Sequence, residues 1–477
     1  MSTYFNYASR SLIDELRRIA SELIVSGHGV VVTDETPTQL ENLMEMFGIN
    51  SCKENRILYR NLLFSVKDTL DKYVSGVVIH PEVLDQTTVN GCALHCQLRR
   101  KNILVGVTVD RGLVPVLCSN GEFATQGLDG LAKRCAEYKD CGCDFTMWRA
   151  QYNIGEYTPS YQIIMENANT MAKYAAIAQS KRMLPILEVD IVPTEDNDLE
   201  RAEKVAETIL MFIYKSLGDH HVNVEGTLLR VPMLAPGPKC EKRYSPGQIS
   251  KTTLRLLRHV VPAGVGGIIL HVDGKTEDRS LCLLNATATE PSAKPWPIIF
   301  SFDGTLQSSI MIAWAGHKKN VEKAQNEFLK MLSAFSNAAQ GSYVTGSMKS
   351  LADQCYCKKA LKALKEKPEP LPNDCVKFEE LCRPPPVGPM TAQPFEISAA
   401  FMAIEIKSEV GFEEKVIADQ EIKTNEVVEN PPPPVSVAEI SPSENPVPES
   451  ANVKRASRAS FSSVAGERRR SSAAKGT

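Results

Sequence analysis

Short apolar runs rich in β-branched residues recur along the first two thirds of the chain. Eight of them are candidate strands, at residues 29–33, 76–80, 103–109, 143–149, 184–188, 227–231, 267–272 and 297–302. The stretches between them are longer and of mixed polarity, and three carry apolar positions at helical spacing, at residues 160–181, 198–217 and 318–338. Buried strands that alternate with helices indicate a parallel sheet, and eight repeats predict an α/β fold, a (β/α)8 TIM barrel.

The composition changes after about residue 365. Three proline-rich stretches, one acidic stretch and one basic, serine-rich stretch follow there, at residues 367–372, 384–389 and 431–434, at 405–429 and at 453–475. Such segments cannot bury enough apolar surface to offset the entropy lost on ordering. We therefore predict a barrel domain over residues 1–365 and a disordered tail over residues 366–477, Pro/Glu-rich at first and then Ser/Arg-rich.

The chain has 477 residues, of which 43% are hydrophobic, so it can bury a large core. Its net charge of −3 gives no indication of nucleic-acid binding, and no apolar run approaches the roughly 18 residues that span a membrane. The amino-terminal residues lack the apolar stretch of a secretory signal, so we expect a cytoplasmic protein. The 13 cysteines include no two matching CxxC pairs, and we expect reduced thiols with no bound metal or cofactor.

Several longer motifs point to one family. Residues 225–230 read Glu-Gly-Thr-Leu-Leu-Arg. Further motifs are Val-Thr-Asp-Glu at 32–35, Glu-Asn-Arg at 54–56, Asn-Gly-Glu at 120–122, Thr-Gln-Gly-Leu-Asp-Gly-Leu at 125–131, Ile-Gly-Glu at 154–156, Met-Glu-Asn-Ala-Asn at 165–169 and Lys-Pro-Trp at 294–296. In this order they resemble class I fructose-bisphosphate aldolases, over roughly residues 10–345. The resemblance implies the eight-stranded barrel, with a site at the carboxyl ends of its strands.

The resemblance also implies roles for residues at the strand ends. Asp34 matches the family's aspartate that manages the substrate hydroxyls and the amine. Glu188 matches its general acid and base for Schiff-base formation, and Arg149 matches a site arginine. Thr36 and Thr38 keep hydroxyls where the family has serines near one phosphate.

Three lysines of the family site are replaced in this chain. The motif at 225–230 ends in Arg230, where the family has the lysine whose amine forms the Schiff base with the ketose. Met147 replaces the lysine that stabilises charge beside that base, and Thr108 replaces a lysine that faces phosphate. An arginine stays protonated, with a pKa above about 12, and has no free lone pair to attack a carbonyl. The chain thus resembles a diverged member of the family.

The positions that hold phosphate in the family are changed as well. Val272 and Asp273 replace the first two residues of a Ser-Gly-Gly turn, and Asp303 and Gly304 replace the last two of a Tyr-Gly-Arg turn. An Arg–phosphate contact is among the stronger polar pairs. Carboxylates at 273 and 303 are instead expected to repel a phosphate dianion.

Different functions remain open at this point. One is a binding or scaffold pseudoenzyme that has lost Schiff-base aldol cleavage. The alternative is an active glycolytic aldolase that cleaves fructose 1,6-bisphosphate to dihydroxyacetone phosphate and glyceraldehyde 3-phosphate, with Lys275 as the nearest candidate for a relocated amine. A third is a sensor that binds a sugar without turning it over.

Partners are implied by the family and by the tail. Class I aldolases are typically homotetramers that also bind the cytoskeleton, so we expect a homo-oligomer and a filament partner such as actin. Ser457, Ser460 and Ser471 follow arginines in a pattern suited to basophilic kinases. Phosphorylation there would add negative charge to a basic segment.

Overall fold

The eight apolar runs of the sequence form the strands of a closed parallel barrel. The computed structural model describes residues 8–66, 69–87, 91–272, 276–303 and 307–354. Its strands are β1 (Gly29–Thr33), β2 (Val74–Ile79), β3 (Leu104–Thr108), β4 (Leu113–Pro115), β5 (Phe123–Thr125), β6 (Phe145–Ile154), β7 (Leu184–Pro193), β8 (Leu228–Pro232), β9 (Ile268–His271) and β10 (Ile298–Phe302). β4 and β5 form a separate antiparallel hairpin, and the other eight pair in the order β1-β2-β3-β6-β7-β8-β9-β10 and back to β1. The predicted (β/α)8 barrel is confirmed.

The boundaries of the strands agree with the sequence pattern except in two places. β6 and β7 run five residues further than predicted, to Ile154 and Pro193, because they pair with each other along their whole length. Buried and half-buried residues alternate in these extensions, so they lack the continuous apolar character of the barrel segments. The hairpin of β4 and β5 is not predicted either, because its strands have only three residues each.

One helix precedes the first strand, and the others follow the barrel strands. They are α1 (Arg10–Leu23), α2 (Pro37–Met46), α3 (Lys53–Phe64), α4 (Leu94–Arg99), α5 (Leu131–Asp140), α6 (Tyr161–Ser180), α7 (Leu199–Asp219), α8 (Pro246–Val260), α9 (Glu277–Thr289), α10 (Ser308–Trp314) and α11 (Val321–Ala339). The three predicted helices are confirmed as α6, α7 and α11. Asp198 caps α7, because its Oδ1 accepts a hydrogen bond from the N–H of Arg201 at 2.9 Å. Within the described ranges, no helix combines the length and the hydropathy needed to cross a membrane.

The side chains inside the barrel form an apolar cluster toward the amino-terminal ends of the strands. Its strand members are Val30, Val32, Val78, Phe145, Met147, Leu184, Ile186, Leu228, Ile269 and Ile299. Four buried residues of α1 belong to the same cluster, so α1 closes this end of the barrel. A Cβ at Gly106 would lie 2.0 Å from the ring of Phe145 and would clash with it, so glycine is required at this position.

The segment after α11 is fixed against the amino-terminal end of α9. Both carboxylate oxygens of Asp353 accept hydrogen bonds from backbone N–H groups, those of Glu277 and Asp278, at 3.2 Å each. The buried Glu277 accepts a hydrogen bond from Ser309 Oγ at 2.6 Å, at the start of α10. Residues 355–365 of the predicted barrel domain and the predicted tail at 366–477 lie outside the described residues.

Candidate functional site

Above the apolar cluster, the inward-facing positions of the barrel become polar. Side chains alternate between the two faces of a strand, so the next inward position lies two residues further along each strand. These positions are Asp34, His80, Thr108, Arg149, Glu188, Arg230, His271 and Ser301, and Asp303 lies two residues beyond Ser301. All lie at the carboxyl ends of strands, which is the end where barrels of this type carry their sites.

Arg230 is the centre of a buried ion network at this end of the barrel. Its guanidinium donates through Nη1 to Oε1 of Glu188 and through Nη2 to Oδ2 of Asp303. Its Nε donates to Ser301 Oγ at 3.3 Å. The side chains of Arg230 and Glu188 are only 6% and 4% exposed. Arg230 therefore joins the ends of β7, β8 and β10 through charge-assisted hydrogen bonds.

His271 is the fourth member of this network. Its Nδ1 lies 2.7 Å from Asp303 Oδ2 and 3.2 Å from Arg230 Nη2. Because a carboxylate can only accept, Nδ1 carries a proton and donates it to Asp303, and Arg230 is a neighbour rather than a second donor to that nitrogen. Burial alone would raise the pKa of Asp303, but the charge and hydrogen bond of His271 and the charge of Arg230 outweigh it and hold this pKa at about 2.

Arg149 is the second arginine that binds the carboxylate of Glu188. Its Nε donates to Oε1 of Glu188 at 3.0 Å, and the charge of Glu188 raises the pKa of Arg149 well above its ordinary value. The second oxygen of Glu188, Oε2, is buried and has no hydrogen-bond partner among the described residues. Nearby, Thr108 Oγ1 donates to Asp34 Oδ2 at 2.7 Å. The predicted residues Asp34, Thr108, Arg149, Glu188 and Arg230 thus lie in one layer.

Three further carboxylates lie near this layer, and the sequence motifs indicate no role for them. Asp110, just after β3, accepts the N–H of Arg149 through Oδ2 at 3.2 Å, and burial raises the pKa of Asp110 to about 6. Burial also raises the pKa of Asp190. Burial and the charge of Asp34 raise the pKa of Glu35 to about 7. Asp190 lies two residues beyond Glu188 on the same face of β7, and that spacing is the signal by which it could be found.

The remaining predicted residues are placed differently. Met147 and Val272 are fully buried, and Met147 belongs to the apolar cluster. Thr36 is the N-cap of α2, where its Oγ1 accepts the N–H of Gln39 at 3.2 Å, and Thr38 lies in the first turn of that helix. The residues Asp273, Lys275 and Gly304 lie outside the described residues. None of the described strands contains a lysine, and no described lysine is buried.

Comparison with known proteins identifies the family. The family model described as fructose-bisphosphate aldolase class-I matches residues 15–362. The chain belongs to the class I fructose-bisphosphate aldolase family. It is 44% identical over 347 residues to a fructose-bisphosphate aldolase of Drosophila melanogaster, covering 73% of this chain and 96% of the relative. It is 41% identical over 340 residues to fructose-bisphosphate aldolase C-B of Danio rerio, covering 71% and 94%.

A solved aldolase structure has the same fold. It is that of the fructose-bisphosphate aldolase from Plasmodium falciparum in complex with TRAP and a small molecule inhibitor. The two proteins share 32% sequence identity with a TM-score of 0.70, and the similarity covers 72% of this chain and 100% of the Plasmodium chain. The aldolase barrel is therefore complete in the described part of this protein, and the charged layer around Arg230 lies at the end of that barrel.

Proposed function

We propose that this aldolase homologue does not carry out Schiff-base aldol cleavage and acts instead as a binding or scaffold protein. The observation that carries the proposal is Arg230, at the position where the family motif ends in its Schiff-base lysine. A Schiff base needs an amine that can lose its proton, whereas a guanidinium remains charged. Arg230 is also engaged on both sides, by Glu188 and by Asp303.

The neighbouring positions support the same conclusion. Met147 lies in the apolar cluster and offers no charge to a reaction intermediate. The hydroxyl of Thr108 donates to Asp34. Asp303, with its pKa held at about 2, is ionised at neutral pH and would repel a phosphate group in the same place. A sugar bisphosphate would therefore meet a carboxylate where the family pattern has a small residue.

The alternative is an active glycolytic aldolase that cleaves fructose 1,6-bisphosphate to dihydroxyacetone phosphate and glyceraldehyde 3-phosphate. The 44% identity to the Drosophila aldolase favours it, as do Asp34, Arg149 and Glu188 in one layer. Such an enzyme needs another electron sink for the carbanion, either a second amine or a bound metal. Lys275 is the nearest lysine by sequence to serve as that amine.

Borohydride trapping separates the two functions. The full chain is incubated with dihydroxyacetone phosphate, reduced with borohydride and measured by intact mass, with the Drosophila aldolase treated in parallel. We expect an adduct on the Drosophila enzyme and none on this protein. An adduct that maps to a lysine of this chain, together with cleavage of fructose 1,6-bisphosphate, would contradict the proposal.

The variant Arg230→Lys tests how far the site has diverged. We expect no adduct from it, because Glu188 and Asp303 would hold the new ammonium in its protonated form. Restoring the amine alone therefore leaves the reaction without a nucleophile. Full trapping by Arg230→Lys would instead mean that a single residue separates this protein from an active enzyme.

The scaffold role would be exercised through partner proteins. The Plasmodium aldolase is described in a complex with TRAP, so a barrel of this family can hold a protein partner. By the same analogy we extend the proposal to a cytoplasmic homo-oligomer that binds a filament such as actin, with Ser457, Ser460 and Ser471 as kinase sites. Co-sedimentation of the full chain with actin filaments tests the partner, and absence from the pellet would remove actin from the proposal.

A further inference from the structure

A cysteine and a histidine of α4 are in contact, away from the charged layer. Sγ of Cys96 lies 3.6 Å from Nε2 of His95, which is a hydrogen-bonding distance for sulfur. His95 is only 6% exposed, whereas Cys96 is half-buried. The pair therefore combines a ring fixed by its surroundings with a thiol that a small reagent can reach.

The pair lies toward the amino-terminal end of the barrel. α4 is tied to the loop between α5 and β6, where Arg99 donates a hydrogen bond to the carbonyl of Gly142. That loop leads into the amino-terminal end of β6. The charged layer lies at the carboxyl ends of the strands, so the two groups of residues are separate.

The ring of His95 is suited to accept the proton of the thiol. Burial lowers the pKa of His95, the backbone of Cys141 opposes this, and the charge of Arg99 adds to it. The ring is therefore mostly neutral at pH 7, and one nitrogen of a neutral imidazole is an acceptor. Because the thiolate is the reactive form of cysteine, a base at hydrogen-bonding distance activates the thiol.

Two arginines follow the cysteine on the same side of α4. Arg99 and Arg100 lie three and four residues after Cys96, the spacing at which side chains of a helix are neighbours. Both are exposed, and Arg99 also lies 3.6 Å from a carboxylate oxygen of Asp144. Positive charge near the sulfur stabilises a thiolate and attracts a reagent that carries negative charge.

Other cysteines of the described ranges provide a comparison. Burial raises the pKa of Cys135 to about 11 and that of Cys143 to about 12, so both remain protonated at neutral pH. Cys118 is exposed, in the turn of the hairpin that β4 and β5 form. If exposure alone determined reactivity, Cys118 would react faster than the half-buried Cys96.

We propose that Cys96 is a modification site that forms a mixed disulfide with a small anionic disulfide. His95 takes the proton of the thiol, the sulfur of Cys96 attacks one sulfur of the reagent, and the S–S bond of the reagent breaks. The departing thiolate receives the proton from His95. One thiol and one disulfide are consumed and one of each is formed, so no further oxidant is needed. The site lies outside the charged layer, and the inference does not depend on the proposed function.

Site-resolved labelling with glutathione disulfide tests the proposal. The reduced full chain is exposed to the reagent at pH 7 and quenched with acid, and the adducts are located by fragmentation of the peptides, which separates Cys96 from Cys92. We expect Cys96 to be modified several times faster than Cys118, with Cys135 and Cys143 unmodified. Modification of Cys118 ahead of Cys96 would overturn the proposal.

The variant His95→Gln tests the base. Glutamine keeps a polar side chain but cannot take a proton, so modification of Cys96 should slow by about tenfold, less than a positioned base often contributes because a thiol ionises in part without one. The rate at Cys118 should stay as in wild type. The matched control His259→Gln, on the exposed side of α8, should leave the rate at Cys96 unchanged. An unchanged rate at Cys96 in His95→Gln would overturn the role of His95.

The charge of the reagent tests the arginines without altering a buried residue. Cystamine, a cationic disulfide, is compared with glutathione disulfide at low ionic strength, and each rate at Cys96 is divided by the rate at Cys118. We expect Cys96 to favour the anionic reagent, and both added salt and the surface variant Arg100→Gln should reduce this preference. Equal relative rates with the two reagents would overturn the assignment of an anionic disulfide.

Discussion

Along the barrel strands, the inward side chains change from apolar to charged within two residues. Leu228 is followed on the inward face of β8 by Arg230, and Ile186 is followed on β7 by Glu188. The apolar cluster forms a lower layer, toward the amino-terminal ends of the strands, and is held by contacts that need only shape and volume. The charged residues around Arg230 form an upper layer, at the carboxyl ends, and are held by ion pairs that need a partner of opposite charge for each member. Leu228, Ile186, Glu188 and Arg230 are all buried, so burial alone does not tell which interaction stabilises each layer.

The substitution Arg230→Met is expected to have the largest effect on stability, and it acts on the upper layer alone. It leaves Glu188 and Asp303 buried without the cation that they share, and breaking a buried ion pair from one side costs about 3–5 kcal/mol. We expect a loss of this size in the free energy of unfolding, measured with urea. Glu188→Gln combined with Arg230→Met should recover part of the loss, because it removes one of the two buried carboxylates that lose Arg230. A double variant less stable than Arg230→Met would contradict this account.

The substitution Leu228→Ala tests the lower layer on the same strand. It removes apolar contacts and leaves a cavity, so we expect a loss of about 3 kcal/mol, within the range for large-to-small changes in a core. Urea unfolding at several pH values and salt concentrations measures it. The loss should be the same under all of these conditions, because no charge is involved. A loss that varied with pH would mean that the two layers are coupled.

This division also explains how much of the protein could be predicted from the sequence. The eight strands follow from continuous apolar runs, and Arg230, Glu188 and Arg149 from motifs at their ends. The ion pair between Arg230 and Asp303 could not be predicted, because it joins positions 73 residues apart in the chain. The sequence indicates two separate replacements, and only the closure of the barrel brings their charges together.

The pH dependence of stability tests the upper layer through Asp303. Its pKa in the folded protein is about 2, below the ordinary value of 3.8, so its ionised form stabilises the fold. This contribution is present above about pH 4 and is lost as the pH falls toward 2. Asp303→Asn should therefore reduce the free energy of unfolding by about 2 kcal/mol at pH 7. The difference from wild type should shrink between pH 4 and 2, and a constant difference would rule out the ion pair as its cause.

The smallest effect is expected at the opposite end of the barrel. Arg17 on α1 pairs with Glu225, but the two side chains are 50% and 43% exposed. Exposed pairs contribute up to about 1 kcal/mol and are screened by salt, so Arg17→Met should change the free energy of unfolding by no more than that. The substitution is chemically identical to Arg230→Met and also breaks one Arg–Glu contact. If both cost the same, the number of ion pairs would matter and their burial would not. If Arg230→Met costs several times more, burial determines the cost. The carboxylates that lose Arg230 have no access to water, whereas Glu225 can be hydrated when Arg17 is removed.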